Sequence, residues 1–358
     1  MATTDEIKTS VPTDAPTGDA EPITDAPTGD AEPITEASAS AQETPVLRAE
    51  HLTKHFKTNA GTVNAVDDVS FSIARGETLA LVGESGCGKS TLGRMAVRLI
   101  DPTSGEVFLD GEDITKLKGK ALREARKKMQ IVFQDPFSSL DPHLTLGEII
   151  AEPLRAAGVS KAEQRERVLA LMERVGLGPE FYERYPHQLS GGQRQRVGIA
   201  RALAPEPEVI VCDEPVSALD VSIQAQILNL LRKLQRETSI SFLFISHDLA
   251  VVRYISTRIC VMFLGQLCEV CPTPDAYTRP LHPYTKLLID SVPIPDPSQA
   301  NRKRQLLEGE IPSPVNPPAG CRFCTRCPYA DELCRTQKPA MRDFGEGRFC
   351  ACHHPLEA

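Results

Sequence analysis

The sequence predicts an α/β fold, with a mainly parallel β-sheet and helices on both of its faces. Three short runs rich in apolar residues have the length and composition of buried strands: 77–82, 208–212 and 240–246. After the first run, apolar residues recur at helical spacing, at Leu92, Met95, Ala96 and Leu99. A second amphipathic helix is predicted by Ile223, Ile227, Leu230, Leu231 and Leu234. Buried strands that alternate with amphipathic helices are typical of parallel sheets.

An acidic, repetitive segment precedes this region. The unit TDAPTGDAEPI occurs in two identical copies, Thr13–Ile23 and Thr24–Ile34. The unit is rich in Pro, Gly and Asp, so it cannot bury enough apolar surface to offset the entropy of ordering. We therefore expect residues 1–46 to form a disordered tail.

The tail also accounts for the net negative charge of the chain. It contributes −9 to a net charge of −8 and leaves +1 for the remaining residues. A nearly neutral body and the absence of Trp argue against nucleic acid as a partner. The basic run from Lys116 to Lys128 is therefore interpreted as a solvated helix face.

The location of the chain follows from its apolar segments and its first residues. No apolar run reaches the roughly 18 residues that span a bilayer. The polar, acidic N-terminus does not have the pattern of a signal peptide. We expect a cytosolic chain, where thiols stay reduced. Its eleven cysteines then indicate a metal or cluster site rather than disulfides.

The first predicted strand leads into a glycine-rich motif, G-x-x-x-x-G-K-S, over residues 83–90. Between a strand and a helix, this motif surrounds phosphate oxygens with backbone N–H groups and with the positive end of the helix dipole. Lys89 is expected to reach the β- and γ-phosphates, and the Ser90 hydroxyl is expected to ligate Mg²⁺. The motif thus predicts a nucleoside triphosphate site.

Two adjacent carboxylates follow the second predicted strand. Asp213 and Glu214 lie at its carboxyl end, the side on which parallel sheets bind ligands. One carboxylate can hold Mg²⁺ while the next polarises the attacking water. Together with the phosphate motif, this pair predicts a site that hydrolyses its nucleotide.

Three further motifs follow in order: LSGGQRQR at 189–196, SALD at 217–220 and SHD at 246–248. With the phosphate motif, they make residues 47–290 similar to ABC ATPases. The resemblance implies a P-loop NTPase core with a helical signature subdomain. Phe56 matches the aromatic residue that stacks on adenine, and His247 the residue that holds the γ-phosphate. Gln134 matches the residue that contacts Mg²⁺ and water and couples to the membrane partner.

The resemblance assigns the site residues to four sets. The catalytic residues are Glu214, His247 and Gln134. The residues that bind ATP are Phe56, Gly83, Ser85, Gly86, Cys87, Gly88, Lys89, Ser90 and Thr91. The Mg²⁺ ligands are Ser90, Gln134 and Asp213. The residues that contact the ATP of a neighbouring ATPase subunit are Ser190, Gly191, Gly192, Gln193 and Asp220, so ATP would be bound between two chains.

The C-terminal region comprises a Pro-rich linker, 291–320, and a module, 321–358, that holds six of the eleven cysteines. The spacing Cys321-x2-Cys324-x2-Cys327-Pro328 is similar to a bacterial ferredoxin run, although the fourth cysteine comes later. Thiolates at this density suit a [4Fe–4S] cluster or Zn²⁺. Residues 291–358 are therefore predicted to form a Pro-rich linker followed by a cysteine-rich C-terminal module that binds a metal or cluster.

The same region resembles the C-terminal part of dipeptide and oligopeptide importer ATPases, and nickel importers of that branch are similar. The resemblance lies in HPYTKLL at 282–288 and in the cysteine-rich segment 309–334. It implies that Cys321, Cys327, Cys334 and Cys352 hold a [4Fe–4S] cluster. Cys324 is a further candidate ligand, and Zn²⁺ remains the alternative metal.

The implied function is ATP hydrolysis that energises import of di- or oligopeptides. The same role for nickel or another small solute is the alternative, and a non-transport ABC ATPase is a more distant one. The implied partners are a second ATPase subunit, which is either a copy or a homologue, two membrane permease subunits and an extracytoplasmic substrate-binding protein. The chain is then expected as a peripheral subunit on the cytoplasmic face of the membrane.

Overall fold

The structure is a computed structural model that describes residues 44–59, 61–135, 137–292 and 312–356, so most of the predicted tail lies outside the described residues. Within these ranges the strands are β1 (Leu47–Thr58), β2 (Gly61–Ile73), β3 (Thr78–Val82), β4 (Ser104–Leu109), β5 (Glu112–Asp113), β6 (Met129–Val132), β7 (Val209–Asp213), β8 (Ser241–Ser246), β9 (Arg258–Phe263), β10 (Gln266–Pro272), β11 (Arg342–Asp343) and β12 (Phe349–Cys350). The helices are α1 (Lys89–Ala96), α2 (Gly119–Lys128), α3 (Leu146–Ala156), α4 (Lys161–Arg174), α5 (Gly191–Leu203), α6 (Val221–Thr238), α7 (Leu249–Ile255), α8 (Thr273–Thr278), α9 (Pro283–Asp290) and α10 (Glu332–Thr336). All described residues belong to one compact unit.

The main sheet has eight strands in the order β11-β12-β10-β9-β3-β8-β7-β6. Strands β9, β3, β8, β7 and β6 run parallel, which confirms the predicted α/β class. The three predicted strands are β3, β7 and β8, and every residue in them is buried. Burial on both faces explains their continuous apolar sequences, since helices cover both sides of a parallel sheet.

A second, antiparallel sheet has the order β2-β1-β4-β5 and was not predicted from the sequence. The pairing of β1 with β2 is irregular and contains several shifts of register. Leu52 and Val69 from this sheet pack in one apolar cluster with Met95 of α1. The sheet therefore covers the face of the main sheet that carries the predicted phosphate loop.

The helices agree with the predicted periodicity except at one position. The residues from Ile223 to Leu234 lie on α6 as predicted. Leu99, which the periodicity placed on the buried face of the first helix, lies beyond the end of α1 and is 46% exposed. The helix ends earlier because Val97, at its C-cap, has left the helical conformation. The basic helix α2 has no buried residue, which confirms the predicted solvated face over its length.

Helices α3, α4 and α5 pack together as a helical subdomain. Leu154, Val168 and Val197 contribute to one apolar cluster from the three helices. Each helix begins at a hydroxyl side chain, Thr145, Ser160 or Ser190, that accepts a backbone hydrogen bond. Such N-caps satisfy N–H groups that have no partner within the helix. In the described part of the chain, no helix combines the length and apolar character needed to cross a membrane.

The C-terminal module joins the main sheet directly. Strand β12 pairs antiparallel with β10, where Val270 stands opposite Phe349, and β11 pairs with β12. Phe323 is 1% exposed and packs edge-on against Phe263 of β9. The described part of the module is therefore attached to the ATPase body through a sheet and through a buried aromatic contact.

Candidate active site

The phosphate loop connects β3 to α1, and two of its glycines have no room for a side chain. Gly83 has φ 152°, and a Cβ there would lie 2.0 Å from the carbonyl oxygen of Met262. Gly88 has φ 108°, and its Cβ would lie 2.1 Å from the carbonyl oxygen of Ala65. These close approaches let the loop curl against β2 and β9. Backbone N–H groups then line a cavity at the N-terminus of α1.

This cavity is a cleft of about 580 Å³. Ten residues of the predicted ATP site line it: Ser85, Gly86, Cys87, Gly88, Lys89, Ser90, Thr91, Gln134, Glu214 and His247. They come from four separate stretches of the chain, and the fold brings them to one edge of the main sheet. Gly83 and Asp213 are outside this lining, and each accepts a hydrogen bond from a residue in it, Lys89 or Ser90.

Lys89 is buried to 4% exposure at the floor of the cleft. Its Nζ donates hydrogen bonds to the carbonyl oxygens of Gly83, at 2.8 Å, and Glu84, at 2.9 Å. A buried ammonium held by neutral carbonyls keeps its positive charge available for an anion. Burial raises the pKa of the neighbouring Cys87 thiol, which therefore stays uncharged beside it.

Asp213 and Ser90 form the part of the site that suits a divalent cation. The Ser90 Oγ donates to Asp213 Oδ1 at 2.7 Å, and Asp213 is 1% exposed. The other carboxylate oxygen, Oδ2, is buried without a hydrogen bond, with Arg94 Nη2 at 3.7 Å. Burial raises the pKa of Asp213, and the charge of Glu214 adds to this shift. A buried carboxylate oxygen without a donor beside a hydroxyl fits Mg²⁺, which prefers oxygen ligands.

Glu214 is the centre of a second polar group. Its Oε2 accepts a hydrogen bond from Gln134 Nε2 at 2.8 Å and lies 3.2 Å from His247 Nδ1. The residue has a positive φ of 47°, and its N–H donates to the carbonyl of Ile245 on β8. The turn after β7 is thus fixed so that the carboxylate faces the cleft. Two of the predicted catalytic residues, Gln134 and His247, thus lie within hydrogen-bonding distance of the third, Glu214.

Phe56 lies at the margin of the site and outside the described lining of the cleft. It stands opposite Val63 in the β1–β2 pair, and Val63 does line the cleft. The ring is 36% exposed, and Lys54 Nζ lies 5.3 Å from its centroid. The predicted adenine contact therefore stays a prediction.

The residues predicted to contact a neighbouring ATP lie at a separate surface. Ser190 caps α5, where its Oγ accepts from the N–H of Gln193 and the Gln193 side chain accepts from the N–H of Ser190. The glycines Gly191 and Gly192 form the first turn, and Asp220 is the N-cap of α6. None of these five described residues lines the cleft of their own chain.

Later segments of the chain also contribute to this site, which was not predicted from the sequence. Leu264, Gly265 and Pro314 line the cleft, and the N–H of Gly265 donates to the carbonyl of Cys87. The carbonyl of Pro314 accepts from the N–H of Asn64, which also lines the cleft. Pro314 stands in a Pro-rich segment with no local pattern of a binding site, so the sequence contained no signal for it.

The predicted cluster ligands lie together in the C-terminal module. Burial raises the pKa of the Cys321 thiol to about 12, and the charges of Cys352 and Cys334 add to the shift. Burial likewise raises the pKa of Cys352 to about 11, with contributions from Cys327 and Cys334. A metal bound by these thiols would have to release their protons.

A different group in the module has more closely spaced ligand atoms. Among the described residues, Asp331, Cys334 and His354 have one ligand atom each within 4.8 Å of one another. His354 Nε2 lies 2.9 Å from Asp331 Oδ2, and the other oxygen of Asp331 accepts the N–H of Cys334 at the start of α10. These contacts already satisfy the group as a helix cap with a surface ion pair.

The chain is similar to proteins of one family along most of its length. Residues 66–217 match the ABC transporter family, and residues 268–334 match the oligopeptide/dipeptide transporter C-terminal region. The oligopeptide transport ATP-binding protein AppF of Bacillus subtilis is 51% identical over 326 residues, which cover 88% of this chain and 99% of AppF. A relative in Brucella ovis named as a peptide import ATP-binding protein is 53% identical over 311 residues, which cover 87% of this chain and 98% of the relative.

A solved structure of an ATP-binding cassette is also similar to this chain. The dimeric, post-hydrolysis state of the ATP-binding cassette MJ0796, bound to ADP and Pi, is 34% identical with a TM-score of 0.59. The match covers 63% of this chain and 98% of that structure. The chain belongs to the ATP-hydrolysing subunits of ABC transporters, in the group that carries the oligopeptide/dipeptide transporter C-terminal region.

Proposed function

We propose that the chain hydrolyses ATP in this cleft to drive import of di- or oligopeptides through a membrane ABC transporter. The observation that carries the proposal is one cleft that unites Lys89, Ser90 and Glu214 in a chain with an oligopeptide/dipeptide transporter C-terminal region. The names of AppF and the Brucella ovis relative describe the same role. The same role for nickel or another small solute is the second candidate.

The positions of the side chains support a division of labour in hydrolysis. Lys89 faces the phosphates from the floor of the cleft, and the N-terminus of α1 adds its partial positive charge. Mg²⁺ held by Ser90, Asp213 and Gln134 supplies charge neutralisation at the phosphate oxygens when it is bound. Glu214 accepts the proton of the attacking water as general base. His247, which lies at the same carboxylate, would contact the γ-phosphate.

The surface formed by Ser190 to Gln193 supports a paired mechanism. A hydroxyl, glycine N–H groups and a helix N-terminus are groups that can bind an anion, and here they lie outside the cleft of their own chain. We propose that they close over ATP on a second ATPase subunit, with Asp220 at the interface. The MJ0796 cassette is dimeric in its structure bound to ADP and Pi, which supports this arrangement.

We propose that two permease subunits and an extracytoplasmic substrate-binding protein complete the transporter. The chain would then be peripheral on the cytoplasmic face of the membrane, where Gln134 couples its site to the permease. We also propose three regions along the chain. They are a disordered tail, 1–46, an ATPase domain, 47–290, and a linker with the cysteine module, 291–358.

We further propose that Cys321, Cys327, Cys334 and Cys352 hold a [4Fe–4S] cluster. Cys324 is a further candidate ligand. Zn–S bonds of about 2.3 Å place tetrahedral thiolates roughly 3.8 Å apart. Among the described residues, no three of these thiols lie within 4.8 Å of one another. A single Zn²⁺ would therefore need these thiols to move closer together, and Zn²⁺ remains the alternative.

Uptake by reconstituted vesicles tests the transport proposal. The chain is assembled with its permease subunits, second ATPase and binding protein, and ATP-dependent uptake of labelled peptides of two to five residues is compared with uptake of Ni²⁺. We expect peptide uptake that Lys89→Ala abolishes. Uptake of Ni²⁺ alone would establish the second candidate, and hydrolysis without uptake of any solute would contradict an importer.

Elemental analysis tests the cluster. Protein purified without oxygen is assayed for iron, sulfide and zinc, together with Cys327→Ser and with Cys271→Ser as a control. Cys271 is a buried thiol of β10 outside the proposed ligand set. We expect iron and sulfide in the wild type and the control, and a large loss in Cys327→Ser. Zinc without iron would favour the alternative, and protein free of both would remove the site.

A further inference from the structure

The cysteine module contacts the phosphate loop at Glu84. The Arg326 guanidinium donates from Nη1 to Glu84 Oε2 at 2.7 Å and from Nη2 to Glu84 Oε1 at 3.0 Å. The side chains of Arg326 and Glu84 are only 4% and 19% exposed. Two parallel hydrogen bonds between ionised groups make this a bidentate pair, which is directional and shielded from solvent.

Glu84 is also held by its backbone, and it connects to Lys89. Its N–H donates to the Tyr284 hydroxyl at 3.0 Å, and its carbonyl accepts from Lys89 Nζ at 2.9 Å. Tyr284 is fully buried on α9. A shift of Glu84 would therefore displace a carbonyl that orients the ammonium at the phosphate site.

The position of Arg326 is itself fixed by packing. Its N–H donates to the carbonyl of Phe323, and Phe323 is buried against Phe263 and Tyr284 with centroid distances of 5.4 and 5.2 Å. The guanidinium carbon lies 5.9 Å from the Phe263 ring centroid. The aromatic cluster thus holds the guanidinium in place before any nucleotide binds.

The charge of Glu84 gives a physical reason for an ion pair with Arg326 at the phosphate loop. A carboxylate between Gly83 and Ser85 stands inside a loop that binds phosphate, and its charge opposes the charge of ATP. Like charges that are partly shielded from water repel strongly. Arg326 neutralises this carboxylate and directs it away from the cleft. Two other ion pairs of the module, Arg322 with Asp67 and Lys338 with Asp68, reach β2 instead of the loop.

We propose that Arg326 is a positioning residue for ATP binding, which acts through Glu84 on the phosphate loop and on Lys89. The proposal rests on the proposed hydrolysis of ATP in this cleft. It makes the C-terminal module part of the nucleotide site, in addition to any cluster that the module holds.

Steady-state hydrolysis and ATP titration of the full-length chain test the proposal. We expect Arg326→Ala to raise KM and Kd for ATP roughly ten-fold, because the buried carboxylate is left unpaired, while kcat changes less than about three-fold. Arg326→Lys keeps the charge and loses the second hydrogen bond, so its KM should lie between the two. If Arg326→Ala does not fold, Arg326→Lys alone decides, and an unchanged KM overturns the proposal.

A second substitution separates positioning from general stability. Glu84→Gln removes the repelling charge, so the double variant Glu84→Gln/Arg326→Ala should recover a KM within about two-fold of the wild type, as coupled residues do in a double-mutant cycle. A double variant as weak as Arg326→Ala overturns the proposal. So does an equal rise in KM for Arg322→Ala, the matched control that breaks the Asp67 pair.

The proposed function and this inference can fail separately. A wild-type chain that, assembled with its second ATPase subunit and permease subunits, binds ATP but hydrolyses none contradicts the proposed function, while the ATP titration still measures the effect of Arg326. A wild-type chain that hydrolyses ATP with Arg326→Ala at the same Kd and KM contradicts the inference alone.

Discussion

Glu214 is the residue on which we expect the proposed hydrolysis to depend most directly. Its carboxylate accepts from Gln134 and lies beside His247, so it is oriented before the water arrives. Glu214→Gln keeps the size of the side chain and removes the base. We expect kcat to fall by at least about 100-fold, since positioned general bases typically contribute 10²–10⁴-fold. The measurement is phosphate release at saturating ATP.

The control for this substitution is Glu237→Gln. Glu237 lies near the end of α6 with its side chain 43% exposed, and it forms only distant ion pairs. We expect wild-type kcat in this variant. ATP binding should persist in Glu214→Gln, because Lys89 and the phosphate loop remain intact. A Glu214→Gln variant that turns over at the wild-type rate would remove Glu214 from its role.

At the scale of single residues, the sequence predicted the site residues that lie within one motif or directly after a buried strand. Lys89 and Ser90 follow from the loop motif, and Asp213 and Glu214 follow from their place after a buried strand. The pair of Arg326 with Glu84 joins residues 242 positions apart. No local pattern specifies such a contact, because it depends on how the cysteine module packs against β9 and α9.

Helix α5 illustrates a prediction at the scale of an element. Ser190 and Ser160 cap α5 and α4 in the same way, each accepting the N–H of the residue three positions later, at 3.3 and 3.4 Å. Replacing either with Ala should lower the free energy of unfolding by about 1 kcal/mol, the usual value for a lost cap. The two variants therefore have matched structural defects.

Only one of these caps is expected to affect activity. In the assembled transporter, Ser190→Ala should lower kcat roughly ten-fold or more, since it removes a hydrogen-bonding group from the neighbouring ATP. Ser160→Ala should keep the wild-type rate, because its helix end faces no nucleotide. Equal rates in the two variants would show that Ser190 acts as a cap alone.

The start of α9 predicts a pH dependence of stability. The Nδ1 of His282 accepts the N–H of Tyr284, and burial lowers the pKa of this histidine from 6.5 to about 3. Between these values the unfolded chain binds a proton that the folded chain excludes. The stabilisation is therefore fully present above pH 6.5 and is lost as the pH falls toward 3.

Chemical denaturation of the wild type and of His282→Asn measures this effect. Asn accepts the same backbone N–H and does not titrate. We expect the free energy of unfolding to fall less steeply on acidification in the variant than in the wild type. Curves of equal slope for the two proteins would contradict a neutral, buried His282 in the folded state.

The strands that were predicted from the sequence are those in which every residue is buried. Strands β3, β7 and β8 are buried along their full length, so their sequences are continuously apolar. Strands β1 and β2 have mixed burial and shifts of register, which interrupt the alternation of apolar and polar residues. Strand β12 has two residues and forms only because β10 offers it an edge, so its own sequence contained no signal.

For the whole molecule, the question is whether the cysteine module unfolds with the ATPase body. Phe323 of the module lies in one apolar cluster with Val82 of β3 and Val261 of β9, at the centre of the main sheet. Strand β12 extends the same sheet. Because the described contacts leave no sparsely packed boundary between the two regions, they should unfold together.

Calorimetry on the full chain at constant metal content tests whether the module and the ATPase body unfold together. We expect one unfolding transition, and Phe323→Ala should lower the free energy of unfolding by about 3–5 kcal/mol, as large-to-small substitutions of buried aromatics do. Phe137→Ala is the control, because Phe137 is 62% exposed and its loss should change stability by less than about 1 kcal/mol. Two transitions, with Phe323→Ala shifting only the smaller one, would make the module an independent domain. A single transition shifted as a whole would mean that the module contributes to the stability of the phosphate loop, which it contacts through Arg326.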